Sequence, residues 1–548
     1  MSRTKETFLQ GAFLLAAAAL VSRLLGALYR IPLYPILRKE GMGLFQMAYP
    51  IYSLLLTLST VGVNIAISKL VAEHEAQGDH AGTQRVFSTS LWLLGISGFI
   101  LSVSLFAASH VVAERVAKDP RSFLSIAAIS PAIFFVSLMS AYRGYFQGHQ
   151  HMAPTALSQI IEQFVRVATM FLLALGLLGR GIEYAAAGAT FGAVTGSIAG
   201  LCYLLWVFSR QDRERAGAPA AAVCAAAPPA GAPAAGDRAT VSTWSVIRRI
   251  IEIAIPISLT TGILGLIQMV DLVLVPTRLQ AMGVGYEEAT ALYGQLSGGA
   301  VPLMNMPTVV TAALQVSLVP AITQALATHD LARARSRTAT ALRLSFVLMV
   351  PAAVGLYVLN REIPAFLFSD PGVAGPLAAL SSAVLFLSLQ QTTSGALQGM
   401  GHLGVPVRNL LLGAIAKVVV TYVLTAMPQF GINGAAYGTV AAFLIAAALN
   451  LTELQSRLGH VFHFADMVLK PGLAVTVMGL AVRYFFNRLH VFVPSLGIPT
   501  LAAIALGAAV YGIVLLLLGG IRTSDVSMVP VVGPRLAPVL KRLGLTRE

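Results

Sequence analysis

The chain has 548 residues, of which 56% are hydrophobic and only 11% are charged. Because soluble domains carry about 25% charged residues, this composition excludes an ordinary soluble protein and indicates a membrane protein with many spans. The formal net charge is +14. With no soluble domain to carry it, this charge predicts contact with anionic membrane lipids and argues against a nucleic-acid partner.

Apolar segments of about twenty residues, each long enough to cross about 30 Å of hydrocarbon, follow one another along the chain. They predict an all-α integral membrane protein with about fourteen transmembrane helices. The first seven are predicted at 8–36, 45–69, 88–112, 123–147, 155–178, 184–208 and 245–275. The last seven are predicted at 292–322, 339–359, 375–398, 405–427, 432–455, 465–488 and 497–519.

Two arginines, Arg23 and Arg30, lie in the first predicted span. An arginine at the centre of a membrane helix costs about 2.5–3.5 kcal/mol on insertion scales, so we expect a function for it. The two side chains project from nearly the same helix face, about 10 Å apart along the axis. This arrangement predicts a polar cavity that receives an anion. The alternative is that both side chains reach the interfaces or pair with acids on neighbouring helices.

A segment rich in proline and alanine, at 211–243, interrupts the run of spans. It shows no amphipathic period, which predicts a disordered cytoplasmic linker. We therefore expect an N-terminal six-helix lobe at 1–210 and a C-terminal six-helix lobe at 244–458. Two additional helices at 459–520 and a cytoplasmic tail at 521–548 complete the predicted organisation.

The two predicted lobes carry matching sequence features. The fourth span ends in GYFQG and the tenth in GALQG, and a basic residue follows each at the same distance, Arg166 and Lys417. Because these matches keep a nearly constant offset along the chain, they predict two parallel six-helix repeats. Transporters built in this way place the substrate near the middle of the membrane and rock one repeat against the other.

Basic residues are concentrated in the linker, in the loop near 333–343 and in the C-terminal tail. An even number of spans places both termini on one side of the membrane. The positive-inside rule makes that side the cytoplasm. We therefore expect a multi-pass protein of the cell membrane with both termini cytoplasmic.

Further polar residues lie inside the predicted spans, and each allows more than one interpretation. Asp271 could bind a cation, carry a proton or neutralise a neighbouring charge. Glu162 and Arg166 are spaced i,i+4 and can form an ion pair. Lys417 has no acid within one turn, so we expect a free cation. Asn409 is expected to form a hydrogen bond between helices.

Motifs for catalysis and ATP hydrolysis are missing from the sequence, which has no Walker A loop, no HExxH and no GxSxG. Two cysteines, Cys202 and Cys224, have neither disulfide nor metal spacing. We therefore expect no enzyme, no metal and no cofactor. A sodium ion, a proton, the membrane potential or the substrate gradient would drive transport, and a monomer is expected to suffice.

Several segments are similar to one known family of membrane proteins. They are SRLLGALYR at 22–30, GLFQMAYPIYS at 43–53, AISKLVAE at 66–73 and MAP at 152–154. In these segments the chain resembles the MurJ-type lipid II flippases and stage V sporulation protein B. These proteins belong to the multidrug/oligosaccharidyl-lipid/polysaccharide (MOP) exporter superfamily.

The resemblance implies that the chain moves undecaprenyl-pyrophosphate-linked peptidoglycan precursor, lipid II, from the inner to the outer leaflet by alternating access. It implies that Arg23 and Arg30 bind the pyrophosphate and that the lipid tail lies in a groove formed with the last two spans. The product would serve cell-wall or spore-cortex synthesis in a bacterium. Alternatives are a flippase for another polyprenyl-linked polysaccharide and a drug/cation antiporter of the same superfamily.

The chain also departs from the family pattern, since the second and eighth spans lack the arginines that the family places in its cavity. Arg166 and Lys417 are expected to supply that charge. A sodium site of the family would draw on Asp271 and Asn409, but Gly413 stands where an acid is expected.

Overall fold

The computed structural model of the protein describes residues 28–216, 243–462, 464–493 and 495–520, together with residues 14, 15, 18, 21, 22, 25 and 26. Almost all of these residues are helical, and no strand occurs among them. Thirteen helical segments in this part of the chain are long and apolar enough to cross a membrane. They coincide with the second to fourteenth predicted spans, so the predicted all-α membrane fold is confirmed.

The described residues form sixteen α-helices, numbered in chain order. The first seven are α1 (Arg30–Leu56), α2 (Gly62–Ala76), α3 (His80–Val112), α4 (Phe123–Gly148), α5 (Met152–Leu177), α6 (Ile182–Ala216) and α7 (Thr243–Ala281). The others are α8 (Tyr286–Tyr293), α9 (Val301–Ala327), α10 (Leu331–Val358), α11 (Glu362–Phe368), α12 (Ala374–Gly399), α13 (Gly404–Leu424), α14 (Ile432–Leu458), α15 (Lys470–Phe492) and α16 (Gly497–Leu517). Four short π-helical segments in the described residues lie at Thr57–Val61, Ala113–Ala117, Gly294–Ala300 and Ala465–Leu469.

Aspartate residues cap the N-termini of two of the long helices. At the start of α3, Asp79 accepts a hydrogen bond from the backbone N–H of Gly82 at 2.9 Å. At the start of α10, Asp330 accepts one from the backbone N–H of Arg333 at 2.8 Å. These caps satisfy N–H groups that have no partner within the first helical turn. They fix where each helix enters the apolar region.

One compact unit comprises Met1–Tyr29 and Leu44–Met269. Its buried core contains Ile67 of α2, Phe146 of α4 and Leu204 of α6. A Cβ atom added at Gly144 would lie 2.9 Å from Cβ of Ile67. The glycine therefore lets α4 approach α2 closely, as small residues do where membrane helices pack.

The second compact unit comprises Arg30–Gly43 and Val270–Glu548. Its buried core contains Ile322 of α9, Leu342 of α10 and Leu454 of α14. A Cβ atom added at Gly413 would lie only 2.4 Å from the carbonyl oxygen of Ala442. Helices α13 and α14 therefore pack with their backbones in contact, which any larger side chain at this position would prevent.

The lobe boundaries predicted at 210 and 244 stay a prediction. Helix α6 continues to Ala216, six residues into the predicted linker. Residues 217–242 of that linker, the predicted tail at 521–548 and most of the first predicted span, including Arg23, lie outside the described residues.

Candidate functional site

An ion pair links α4 and α5 in the first compact unit. Arg143 on α4 donates from Nη2 to Oε2 of Glu162 at 2.9 Å and from Nε to Oγ of Ser158 at 3.0 Å. Both side chains of the ion pair are largely buried. The predicted pairing of Glu162 with Arg166 is therefore wrong, because the acid turns to the neighbouring helix. Sequence reasoning missed Arg143, which no local acid spacing marks.

Arg166, one turn further along α5, contacts the aromatic side chain of Tyr49 on α1. Its Nη2 donates to the Tyr49 hydroxyl at 2.7 Å, and its guanidinium carbon lies 5.4 Å from the ring centroid. The Nε of Arg166 is buried and makes no hydrogen bond in the part of the chain that the structure describes. Tyr49 is a neutral partner, so it does not compensate the positive charge of Arg166. Arg143, in contrast, is compensated by the carboxylate of Glu162.

The second compact unit contains a buried ion pair between α7 and α13. Lys417 is 1% exposed, and its Nζ donates to Oδ2 of Asp271 at 2.6 Å. The prediction that Lys417 is a free cation is therefore wrong: the acid comes from a helix 146 positions away in sequence. Within the described residues, Oδ1 of Asp271 is buried and has no hydrogen-bond partner. Asp271 thus depends on Lys417 for its charge balance.

A chain of hydrogen bonds crosses three helices of the same unit. Asn409 on α13 donates from Nδ2 to Oδ1 of Asn450 on α14 at 2.9 Å. Asn450 in turn donates to Oγ of Ser394 on α12 at 3.1 Å. The predicted interhelical hydrogen bond of Asn409 is therefore present. Its suggested part in ion coupling stays a prediction.

The two arginines of the first predicted span stay predictions as substrate-binding residues. Arg30 begins α1 and is partly buried. Arg23 lies outside the described residues. Across the described ranges, no group of three His, Cys, Asp or Glu residues is placed to hold a metal ion.

An apolar groove of about 450 Å³ runs along α15 and α16 in the second compact unit. Its walls come from five helices and include Pro307, Leu348, Leu356, Ile363, Met478, Val482, Ile504 and Leu515. No charged residue lines it. The hydroxyl of Tyr511 donates to the backbone carbonyl of Val347 at 2.8 Å, so this polar atom is already satisfied. The groove is therefore suited to a hydrocarbon chain.

A family model described as "Polysaccharide biosynthesis protein" matches residues 8–326, which is more than half of the chain. The chain belongs to this polysaccharide biosynthesis protein family. The chain is 29% identical to stage V sporulation protein B of Bacillus subtilis (strain 168), in an alignment that covers 96% of this chain and 99% of the relative. It is 25% identical to the lipid II flippase MurJ of the same organism, covering 92% of this chain and 94% of the relative.

Solved structures of two transporters share the fold of this family member. Lipid II flippase MurJ in an inward closed conformation matches with a TM-score of 0.67 at 14% identity, covering 92% of this chain and 98% of that one. An inward-facing multidrug resistance MATE family transporter of the MOP superfamily matches with a TM-score of 0.62 at 15% identity, covering 81% of this chain and 95% of that one. The resemblance to MurJ-type proteins and the MOP superfamily fold are therefore confirmed.

Proposed function

We propose that this polysaccharide biosynthesis family member is a transporter, not an enzyme, and flips a lipid-linked glycan across the bacterial cell membrane. We further propose that the substrate is lipid II, carried from the inner to the outer leaflet by alternating access for cell-wall or spore-cortex synthesis. The observation that carries the proposal is the apolar groove along α15 and α16. The similarity to stage V sporulation protein B and to a lipid II flippase, which extends over more than nine-tenths of the chain, adds to this support.

The groove supports a lipid tail because it is uncharged and because two of its five wall helices, α15 and α16, lie outside the predicted six-plus-six repeat. Its lining includes Gly355, Gly507 and Gly512, whose missing side chains keep the channel open. Because the tail enters from the bilayer and not from water, its binding would depend on van der Waals packing against this apolar lining. Drug and cation antiport gives these two helices no comparable purpose.

Arg166 supports an anionic headgroup because it is partly buried and its Nε makes no hydrogen bond within the described residues. A guanidinium offers a fork of N–H donors that matches phosphate oxygens, and such charge-assisted bonds are strong in a site of low water content. We propose that Arg166 binds the pyrophosphate, and Arg23 and Arg30 stay proposed substrate-binding residues on the evidence of the sequence. Lys417 is neutralised by Asp271 at 2.6 Å, so we assign this pair to charge balance and not to substrate binding.

The sodium site implied by the family does not fit these residues. Asp271, its expected carboxylate ligand, is bonded to the ammonium of Lys417, and Gly413 packs against backbone where a second acid would stand. We therefore propose that flipping needs no sodium and depends on the substrate gradient or the membrane potential. Replacing external sodium with potassium should leave the flipping rate unchanged.

Residues 333–343, predicted as a loop, form the first turns of α10. The concentration of arginine and lysine there, in the linker and in the tail supports an orientation with both termini in the cytoplasm. We propose this topology, function as a monomer, and no nucleic-acid partner. A flippase for another polyprenyl-linked polysaccharide is the second candidate, favoured by the family description. A fluorescent fusion at each terminus, tested with a membrane-impermeant quencher, would report the orientation.

Reconstitution into proteoliposomes tests the proposed function. The purified chain would be offered lipid II, a polyprenyl-pyrophosphate with a different glycan, or a cationic drug. We expect flipping of lipid II, and a loss of at least about tenfold in Arg166→Gln, since a charge-assisted contact to phosphate contributes about 1.5–3 kcal/mol. The matched control is Arg180→Gln, which removes an exposed arginine.

Three results would count against the proposal. Drug export without lipid flipping would favour antiport, and flipping of the other glycan alone would replace the substrate. Equal rates in Arg166→Gln and Arg180→Gln would remove Arg166 from the mechanism. In cells, depletion of the host flippase and rescue by this chain, repeated with Arg23→Ala, tests the arginine outside the described residues.

A further inference from the structure

A second cavity, of about 270 Å³, lies beside the first turns of α10 in the second compact unit. Its polar lining comes from α10 and from the connection between α14 and α15, and consists of Arg335, Ser336, Thr340, Arg343, His460 and Asp466. We name it the α10 pocket. The transport mechanism proposed above makes no use of it.

The sequence of α10 explains why a cavity forms here. Ala332, Ser336 and Ala339 recur at intervals of three and four, so they share one helix face and leave room beside it. Arg335 and Arg343 flank Ser336 and Ala339 along the helix. Eight residues separate them, which is about 12 Å along the helix axis. Small side chains thus form the floor, and long basic side chains stand at both ends.

The two arginines differ in burial, and a hydrogen bond to the backbone holds Arg335. Arg343 is only 5% exposed and lies at the inner end of the pocket. Arg335 lies at the exposed mouth, and its Nε donates to the backbone carbonyl of Leu458 at the end of α14. Fixing Nε in this way orients the planar guanidinium group and reduces the rotamer freedom that a ligand would have to remove.

The charge of the pocket is positive in sum. Asp466 is the single carboxylate in its lining, and it accepts a hydrogen bond from Nζ of Lys470 at 2.6 Å. Against that one negative charge stand Arg335 and Arg343 of the lining, while Lys470, which contacts Asp466, lies outside the lining. The hydroxyls of Ser336 and Thr340 add neutral donors. Two guanidinium groups with nearby hydroxyls are the donor set that recognises phosphate oxygens in proteins.

We propose that the α10 pocket binds a phosphate group, and that this group belongs to an anionic phospholipid of the surrounding membrane. The cavity is slightly smaller than the about 300–1,000 Å³ that holds a drug-sized ligand, so a phosphate and glycerol fit better than a glycan headgroup. Basic pockets between membrane helices are typical binding sites for anionic lipid headgroups. The α10 pocket shares no lining residue with the apolar groove along α15 and α16.

Native mass spectrometry of the full chain, released from nanodiscs containing phosphatidylglycerol or only phosphatidylcholine, tests the proposal. Inorganic phosphate, added to lipid-free protein in detergent, is the second probe. The variants are Arg335→Gln at the exposed mouth and Arg343→Gln at the inner end. Arg337→Gln is the matched control, since it removes an exposed arginine of the same helix that does not line the pocket.

We expect the protein to retain phosphatidylglycerol in preference to phosphatidylcholine, and Arg335→Gln to weaken this binding about tenfold or more, while Arg337→Gln changes it little. Because Arg335 is exposed, its variant keeps the test valid even if Arg343→Gln fails to fold. Binding of inorganic phosphate with the same dependence on Arg335, but no selective retention of lipid, would overturn the lipid source. Equal binding of both probes by Arg335→Gln and Arg337→Gln would overturn the site.

Discussion

Removing Lys417 alone should destabilise the protein far more than removing Lys417 and Asp271 together. The variants are Lys417→Met, Asp271→Leu and the double variant Lys417→Met/Asp271→Leu. In the first, Asp271 loses the donor at 2.6 Å from Oδ2, while Oδ1 already lacks a partner in the described part of the chain. In the second, the ammonium of Lys417 remains in a site where it is 1% exposed.

Both single variants leave a buried charge without compensation. Breaking a buried ion pair in this way costs about 3–5 kcal/mol of unfolding free energy. Replacing both partners by apolar side chains of similar volume removes the desolvation cost as well, and is often neutral or stabilising by about 1–4 kcal/mol. The double variant should therefore lie within about 1 kcal/mol of the parent or above it.

The free energy of unfolding would be measured by denaturant titration in mixed detergent micelles, and the four proteins form a double-mutant cycle. Lys69→Met serves as the control, because the Lys69 side chain is 59% exposed and its pair with Glu73 is long, at 4.0 Å. A change of less than about 1 kcal/mol is expected there. A Lys417→Met protein as stable as the parent, or a double variant as unstable as the singles, would refute the reasoning.

Three further predictions concern packing, charge and the groove. Gly413→Ala should cost about 1–3 kcal/mol of unfolding free energy by overpacking, while Gly176→Ala, where nothing lies within 4 Å, should not destabilise the fold; equal effects in thermal unfolding would contradict this. Arg143→Gln should lower the free energy of unfolding by about 1–3 kcal/mol, because Glu162 loses its charged donor. Adding Glu162→Gln to that variant should recover part of the loss. Losses that simply add would argue against the ion pair. Ala508→Trp should fill the groove without changing expression. It should reduce the flipping rate of a long-chain lipid substrate much more than that of a short-chain analogue. An unchanged ratio of the two rates would show that the groove does not hold the tail during transport.

Composition and hydropathy were enough to predict the membrane fold, because each span must bury a continuous apolar length of about twenty residues. The partners of the intramembrane charges were not predictable in the same way. Lys417 looked unpaired because local spacing shows only its own helix, whereas Asp271 reaches it from α7. Which faces of two helices meet depends on packing, and a single sequence does not state it.

The i,i+4 spacing of Glu162 and Arg166 failed for a related reason. Such pairs contribute only about 0.2–0.5 kcal/mol on an isolated helix, so a well-placed partner on another helix readily replaces them. Arg143 supplies that partner, with bonds to both Glu162 and Ser158. Tyr49 then accepts the hydrogen bond of Arg166. The residue types were predictable as polar positions within spans, but their pairing was not.

The ion pair of α7 and α13 also bears on how the chain is made. Because 146 positions separate Asp271 from Lys417, the ribosome completes the acidic helix well before the basic one. At about 5–20 residues per second, the interval is about 7–30 s. During that time the carboxyl group must stay protonated, remain inside the insertion machinery or face water. Biogenesis of the second half therefore includes a waiting period that ends only when the lysine arrives.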